Sequence, residues 1–67
     1  MVALNSSNLS SADYDAETQT LTITFKSGGT YEYDGVPQAV YEQLLGASSA
    51  GRYFMSTIKD AYVTRRI

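Results

Sequence analysis

The sequence contains no cysteine, no histidine and no tryptophan, and only one proline. The missing cysteines exclude disulfides, thiolate metal sites and thiol nucleophiles. The missing histidines remove imidazole acid–base chemistry. A secreted mini-domain held together by disulfides is excluded as well, because nothing in the chain could staple it. No apolar run approaches the roughly 20 residues needed to span a bilayer. Met1-Val2-Ala3-Leu4, followed by Asn5-Ser6-Ser7-Asn8, lacks the basic and long apolar regions of a signal peptide. A soluble cytoplasmic protein is expected, with no membrane attachment.

What is present is small and rich in tyrosine. The chain has 67 residues, six of them tyrosine. That length suits one domain with a modest core. Tyrosine can add bulk to such a core while its hydroxyl reaches the surface. Net charge is −2, which argues against strong non-specific binding to nucleic acid. The charges are unevenly spread. Residues 1–45 hold Lys26 against six carboxylates, and residues 46–67 hold Arg52, Lys59, Arg65 and Arg66 against Asp60. An acidic sheet side and a basic helical end are therefore expected.

Residues 1–8 read as a flexible lead-in, and residues 9–67 as a single domain. Leu9–Tyr14 is a strand candidate with Ala12 and Tyr14 on one side, and Asp15–Thr18 is a turn. Thr20–Lys26 is the clearest element. Leu21, Ile23 and Phe25 alternate with threonines and Lys26, giving one buried and one wet face. Ser27-Gly28-Gly29 follows as a hairpin loop. Loop length decides where Tyr31 and Tyr33 point. A three-residue loop pairs Phe25 with Tyr31 and Ile23 with Tyr33, so the rings join the apolar face. A two-residue loop puts them on the wet face. The first is preferred, because it sets aromatic rings beside aliphatic side chains and pairs Thr24 with Glu32 outside.

Asp34-Gly35 closes this strand. Val36-Pro37 opens a helix with proline in its first turn. Val36, Val40, Tyr41, Leu44 and Leu45 form its apolar stripe, and Gly46 ends it. Ser48 or Ser49 caps a second helix running to about Asp60. Ala50, Tyr53, Phe54, Ile58 and Tyr62 form its inward side. Val63–Ile67 is a tail, a short extended piece pinned by Val63 or Ile67. The resulting expectation is an α+β fold: a three-stranded antiparallel meander, then two helices packed on one face, in the order βββαα.

Tyr14-Asp15, Glu17-Thr18-Gln19-Thr20-Leu21, Phe25-Lys26-Ser27-Gly28-Gly29, Tyr31-Glu32-Tyr33, Gly35-Val36-Pro37, Tyr41, Gly51-Arg52-Tyr53-Phe54 and Ile58-Lys59 together resemble the KTSC domain. The resemblance runs from about Ser6 to Arg66. That family takes its name from a segment at the C-terminus of some lysyl-tRNA synthetases. The fusion implies RNA or tRNA as a partner, and it is compatible with a protein partner as well.

Candidate binding residues follow from both readings. Tyr31 and Tyr33 could stack unpaired bases, or fill the core beside Ile23 and Phe25. Arg52 and Lys59 are seven residues apart, which places them on nearly one face of a regular helix. Arg65 and Arg66 follow nearby, and arginine's planar fork suits phosphate. These six residues form the candidate nucleic-acid surface. The competing role for the cations is a solvated face, or pairing with Glu32, Asp34 and Glu42. Those carboxylates and Asp60 are scattered without a partner base or nucleophile. No catalytic, metal or cofactor site is expected. A non-enzymatic binding module for RNA is the favoured reading. A protein-interaction or homodimerisation module is the alternative, because a short sheet leaves an exposed edge.

Overall fold

The computed structural model describes residues 2–67. A five-stranded antiparallel sheet has its strands in chain order. They are β1 (Val2–Ala3), β2 (Leu9–Asp15), β3 (Thr20–Phe25), β4 (Thr30–Tyr33) and β5 (Thr64–Arg66). Helix α1 spans Gln38–Gly46. Helix α2 spans Ala50–Tyr53 and continues directly into a π-helical turn, Phe54–Ile58. The α+β class agrees with expectation, but the sheet has five strands rather than three. The two extra strands lie at its edges. β1 lies inside the stretch expected to be a lead-in, and β5 inside the expected tail. Both are too short to show a period in sequence, and all their side chains are exposed. Backbone bonds hold β5 instead: Asp34 N–H donates to the Val63 carbonyl at 2.9 Å, and Ile67 N–H to that of Thr30 at 3.0 Å. Val63 and Ile67 themselves are 72% and 63% exposed, so neither pins the tail through its side chain.

The inner face is built from β2, β3 and β4. Ala12, Ile23 and Tyr31 lie in one row across it, and Tyr14, Leu21 and Tyr33 in the next. Leu9 is buried too, although strict alternation from Ala12 would turn it outward. A bulge resolves the conflict. Leu9 pairs with Phe25 and Ser11 with Thr24, so two residues of β2 oppose one of β3 and the alternation resets.

The β3–β4 hairpin places both tyrosines on the inner face, as expected, but with different partners. Ile23 faces Tyr31 and Leu21 faces Tyr33; Glu32 lies opposite Thr22 rather than Thr24. The hairpin closes between Phe25 and Gly29, whose backbones bond at 2.8 Å. The three loop residues are therefore Lys26, Ser27 and Gly28. The pairing differs from the expected one by two positions, and a shift of two keeps every side chain on its face.

Val36, Leu44, Phe54 and Ile58 pack against this face and are at most 2% exposed. Pro37 caps α1 instead of standing in its first turn, and Val36 reaches the core from just before the helix. Leu45, expected in the apolar stripe, is 38% exposed. Helix α2 starts where expected, with the Ser49 hydroxyl accepting from Arg52 N–H at 3.3 Å. It ends earlier than expected and changes pitch. Lys59 N–H donates to the Phe54 carbonyl five residues back, at 3.0 Å. A turn closed this way holds more residues than an α-turn. Lys59 is consequently rotated off the line expected to carry Arg52.

Candidate nucleic-acid interface

The six candidate residues do not form one surface. Successive residues of a strand face opposite ways, so β5 divides its two arginines. Arg65 lies opposite Glu32, on the outer face. Its guanidinium bonds to Glu32 at 2.9 Å and also to Asp34. The hydrogen bond to Asp34 is the main cause that holds Arg65 protonated still more firmly than a free arginine, with both carboxylates attracting its charge. Asp13, Asp15 and Glu32 surround Arg65 in a shallow depression on this face. That surface is acidic, and its arginine is already engaged.

Arg66 points the other way. Its guanidinium lies over the Tyr31 ring, 5.9 Å from the centroid, within the range where a cation is drawn to an aromatic face. Tyr31 is half-buried, whereas Tyr33 is 4% exposed and belongs to the core. Burial raises the Tyr33 hydroxyl pKa, with smaller contributions from Tyr31 and from Asp60. The rings interlock edge to face. Tyr31 and Phe54 each meet Phe25, at 5.5 and 5.6 Å, and Phe54 meets Tyr33 at 5.4 Å. Such contacts fix ring orientation as well as burying area. Gly29 helps to seat Tyr31. A Cβ there would come within 2.9 Å of the Tyr31 ring, so the ring lies where a larger residue would block it.

An open hollow results between the end of the hairpin and the π-turn. Phe25, Tyr31, Met55, Lys59 and Asp60 line it. The π-turn shapes one wall, because Met55 reaches the hollow from it and Lys59 from the residue that closes it. Met55 is 53% exposed. π-turns inside helices are frequent at functional sites. Lys59 has no ion pair among the described residues.

Arg52 is in a different place. It stands over a polar hollow with Asn5, Ser7, Asn8 and Ser48. Its guanidinium also makes no ion pair among the described residues. The structure thus brings together Tyr31, Lys59 and Arg66, sets Arg52 apart, buries Tyr33 and places Arg65 on the opposite face. Phe25, Met55 and Lys26 were not singled out from sequence. Phe25 read as core, and an isolated methionine carries no pattern. Lys26 read as a strand residue, although its position beside the Ser27-Gly28-Gly29 loop was a signal for an exposed hairpin tip. Among the described residues, no group of three or more carboxylate, cysteine or histidine side chains could hold a metal. No described helix is long and apolar enough to cross a membrane.

The fold and this surface define a small α+β module with a five-stranded sheet and helices on one side. The chain belongs to the KTSC domain family, whose sequence model matches residues 5–62. It is 38% identical to a KTSC domain protein of Yersinia pestis whose crystal structure superposes with a TM-score of 0.93, covering 96% of this chain and 90% of that one. An uncharacterised protein of Stutzerimonas stutzeri is 48% identical over 61 residues, which is 91% of this chain and 86% of that protein. Lysine–tRNA ligase of Trichormus variabilis is 49% identical over 49 residues. That match takes in 73% of this chain but 9% of the ligase.

Proposed function

We propose that this chain is a non-catalytic module that binds single-stranded RNA through the hollow between the hairpin and the π-turn. The observation that carries the reading is the half-buried Tyr31 ring, with the Arg66 guanidinium over it and Lys59 lining the same hollow. Unpaired bases stack on aromatic rings and on guanidinium planes, and the neighbouring cations take the phosphates. The exposed thioether of Met55 adds an apolar wall. The presence of the same domain within a lysine–tRNA ligase supports RNA as the partner class.

The test is titration of short fluorescent RNA oligonucleotides at low salt. Stacking on one ring is worth on the order of 1–3 kcal/mol, so Tyr31→Leu should weaken binding by about fivefold or more. Lys59→Gln and Arg66→Gln should also weaken it. Arg65→Gln, on the far face, should not. Undetectable binding of every oligonucleotide at low salt would sink the proposal.

One observation favours self-association as a second reading. The backbones of Val63 and Ile67 bond to β4, so by alternation those of Thr64 and Arg66 face away from the sheet at its margin. A free edge of this kind can pair with another strand. A sedimentation profile that stays monomeric up to millimolar concentration would remove it.

A further inference from the structure

The aromatic hollow does not stand alone. A second shallow hollow adjoins it and is lined by Ser7, Asn8, Phe25, Lys26 and Ser27. Phe25 and Ser27 line both. Ser7 and Asn8 in turn line the hollow beneath Arg52. Met55 lines the first and the last. The three depressions therefore share lining residues and lie in series, from Tyr31, with Arg66 over its ring, and Lys59, past Lys26, to Arg52.

Charge is sorted along this path. Among the described residues, Asp60 is the only carboxylate lining any of the three hollows. Asp13, Asp15 and Glu32 lie in the depression on the opposite face of the sheet, where Arg65 engages Glu32 and Asp34. A protein of net charge −2 thus keeps four of its five cations on one route and its densest acidic group behind the sheet. None of those four makes an ion pair among the described residues.

The far end is built rather than incidental. Lys26 N–H donates to the Asn8 carbonyl at 2.9 Å, tying residues 5–8 to the hairpin tip. The Ser6 hydroxyl accepts from Asn8 and Leu9 N–H at 3.1 and 3.2 Å. On the other side the loop touches α2 at Gly51, where a Cβ would meet the Ser6 hydroxyl oxygen at 2.9 Å. These contacts hold Asn5, Ser7 and Asn8 opposite Arg52 and Ser48. A guanidinium fork surrounded by hydroxyl and amide donors, with no acid to satisfy it, matches the oxygens of a phosphodiester.

We propose that this path is a track for a single RNA strand, with a base in the aromatic hollow and the backbone running past Lys26 to a phosphate seat at Arg52. The proposal rests on the RNA-binding reading and extends it from one hollow to three. The two make different predictions. Each phosphate contact on a single strand contributes about −0.7 to the slope of log K against log salt. Contacts at Lys59 and Arg66 alone give a slope of about −1.4, and all four cations give about −2.8.

The experiment compares a dinucleotide with an octanucleotide over a salt series, for the wild type, Arg52→Gln and Lys26→Gln. Both variants alter exposed side chains, and circular dichroism is used to check that they fold. The octanucleotide should show the steeper slope. Each variant should lower that slope by about 0.7 and weaken the octanucleotide several-fold, leaving the dinucleotide unchanged. Equal slopes for the two lengths, or an octanucleotide indifferent to both variants, overturns the track and leaves the single hollow standing. A duplex of the same sequence binding as tightly as the single strand overturns both readings, since a paired base cannot enter the hollow. If neither length binds, both readings fall.

Discussion

Replacing Gly51 with alanine should destabilise the fold, although alanine is the better helix former. In a helix interior, alanine exceeds glycine by about 1 kcal/mol, and this position in the first turn of α2 can gain at most that. The added Cβ would lie 2.9 Å from the Ser6 hydroxyl oxygen, well inside contact distance. The oxygen can move only by leaving the Asn8 and Leu9 N–H groups, which it accepts at 3.1 and 3.2 Å. Each such bond is worth about 1 kcal/mol net, so displacement costs up to about 2 kcal/mol. The difference is a loss of about 1 kcal/mol. The sign should reverse once the obstacle is gone. In a Ser6→Ala background both bonds and the clashing atom are already absent, and Gly51→Ala should then stabilise by up to about 1 kcal/mol. Urea unfolding followed by far-ultraviolet circular dichroism measures all four corners of the cycle. A coupling within about 0.5 kcal/mol of zero, or a stabilising Gly51→Ala in the parent chain, would refute the idea that the loop at residues 5–8 is seated on α2.

Three further changes probe the core and its rim. Ile58 is fully buried, and Ile58→Ala should cost about 3 kcal/mol through lost burial and the cavity it leaves; a loss under 1 kcal/mol would mean that the π-turn collapses onto the space. The Tyr14 hydroxyl donates to the Val36 carbonyl at 2.5 Å while its ring stacks on Tyr41 at 5.0 Å. Tyr14→Phe keeps the stack and should cost about 1–2 kcal/mol, measured by the same unfolding assay, with no change there arguing against the bond. Tyr33, like Tyr41, is pH-sensitive. Its folded pKa is raised above the ordinary value, chiefly by burial, so the folded state holds its proton more tightly than the unfolded one. That stability is intact below about pH 10 and is lost as pH rises through the folded pKa. Unfolding from pH 8 to pH 11 should show a steeper alkaline decline in the wild type than in Tyr33→Phe, and equal declines would contradict the assignment.

The legible and illegible parts of the molecule divide along physical lines. Leu21, Ile23 and Phe25 announced β3 through a period that burial imposes on every strand with one wet face. The face of Tyr31 and Tyr33 was also legible, because any even shift of the hairpin gives the same answer. Their partners were not, since the alternative pairings differ only in where the chain turns among Lys26, Ser27, Gly28 and Gly29. β1 left no trace in composition and β5 only the expectation of a short extended piece in the tail, because backbone hydrogen bonds place them and side-chain chemistry does not. The binding surface was the least legible part. Arg52 and Lys59 share a face on a regular helix, but the bond from Lys59 to Phe54 spans five residues, and no local residue signals that change of pitch.

Sequence alone determined that this is a small α+β domain without disulfide or histidine chemistry, that a threonine-rich strand and two alternate tyrosines build its core face, and which family it resembles. Those properties depend on residue type and short-range periodicity, which the chain carries without folding. Only the tertiary structure decided how the cations are shared out. Arg65 and Arg66 are neighbours in the chain, yet the pleat of β5 sends one to Glu32 and Asp34 and the other to Tyr31. Lys26 and Arg52 are far apart in sequence, and the loop at residues 5–8 joins their hollows into one surface. The sign of a charge is written in the sequence, but the face on which it lands is set by strand register and helix pitch, and both depend on contacts across the whole fold.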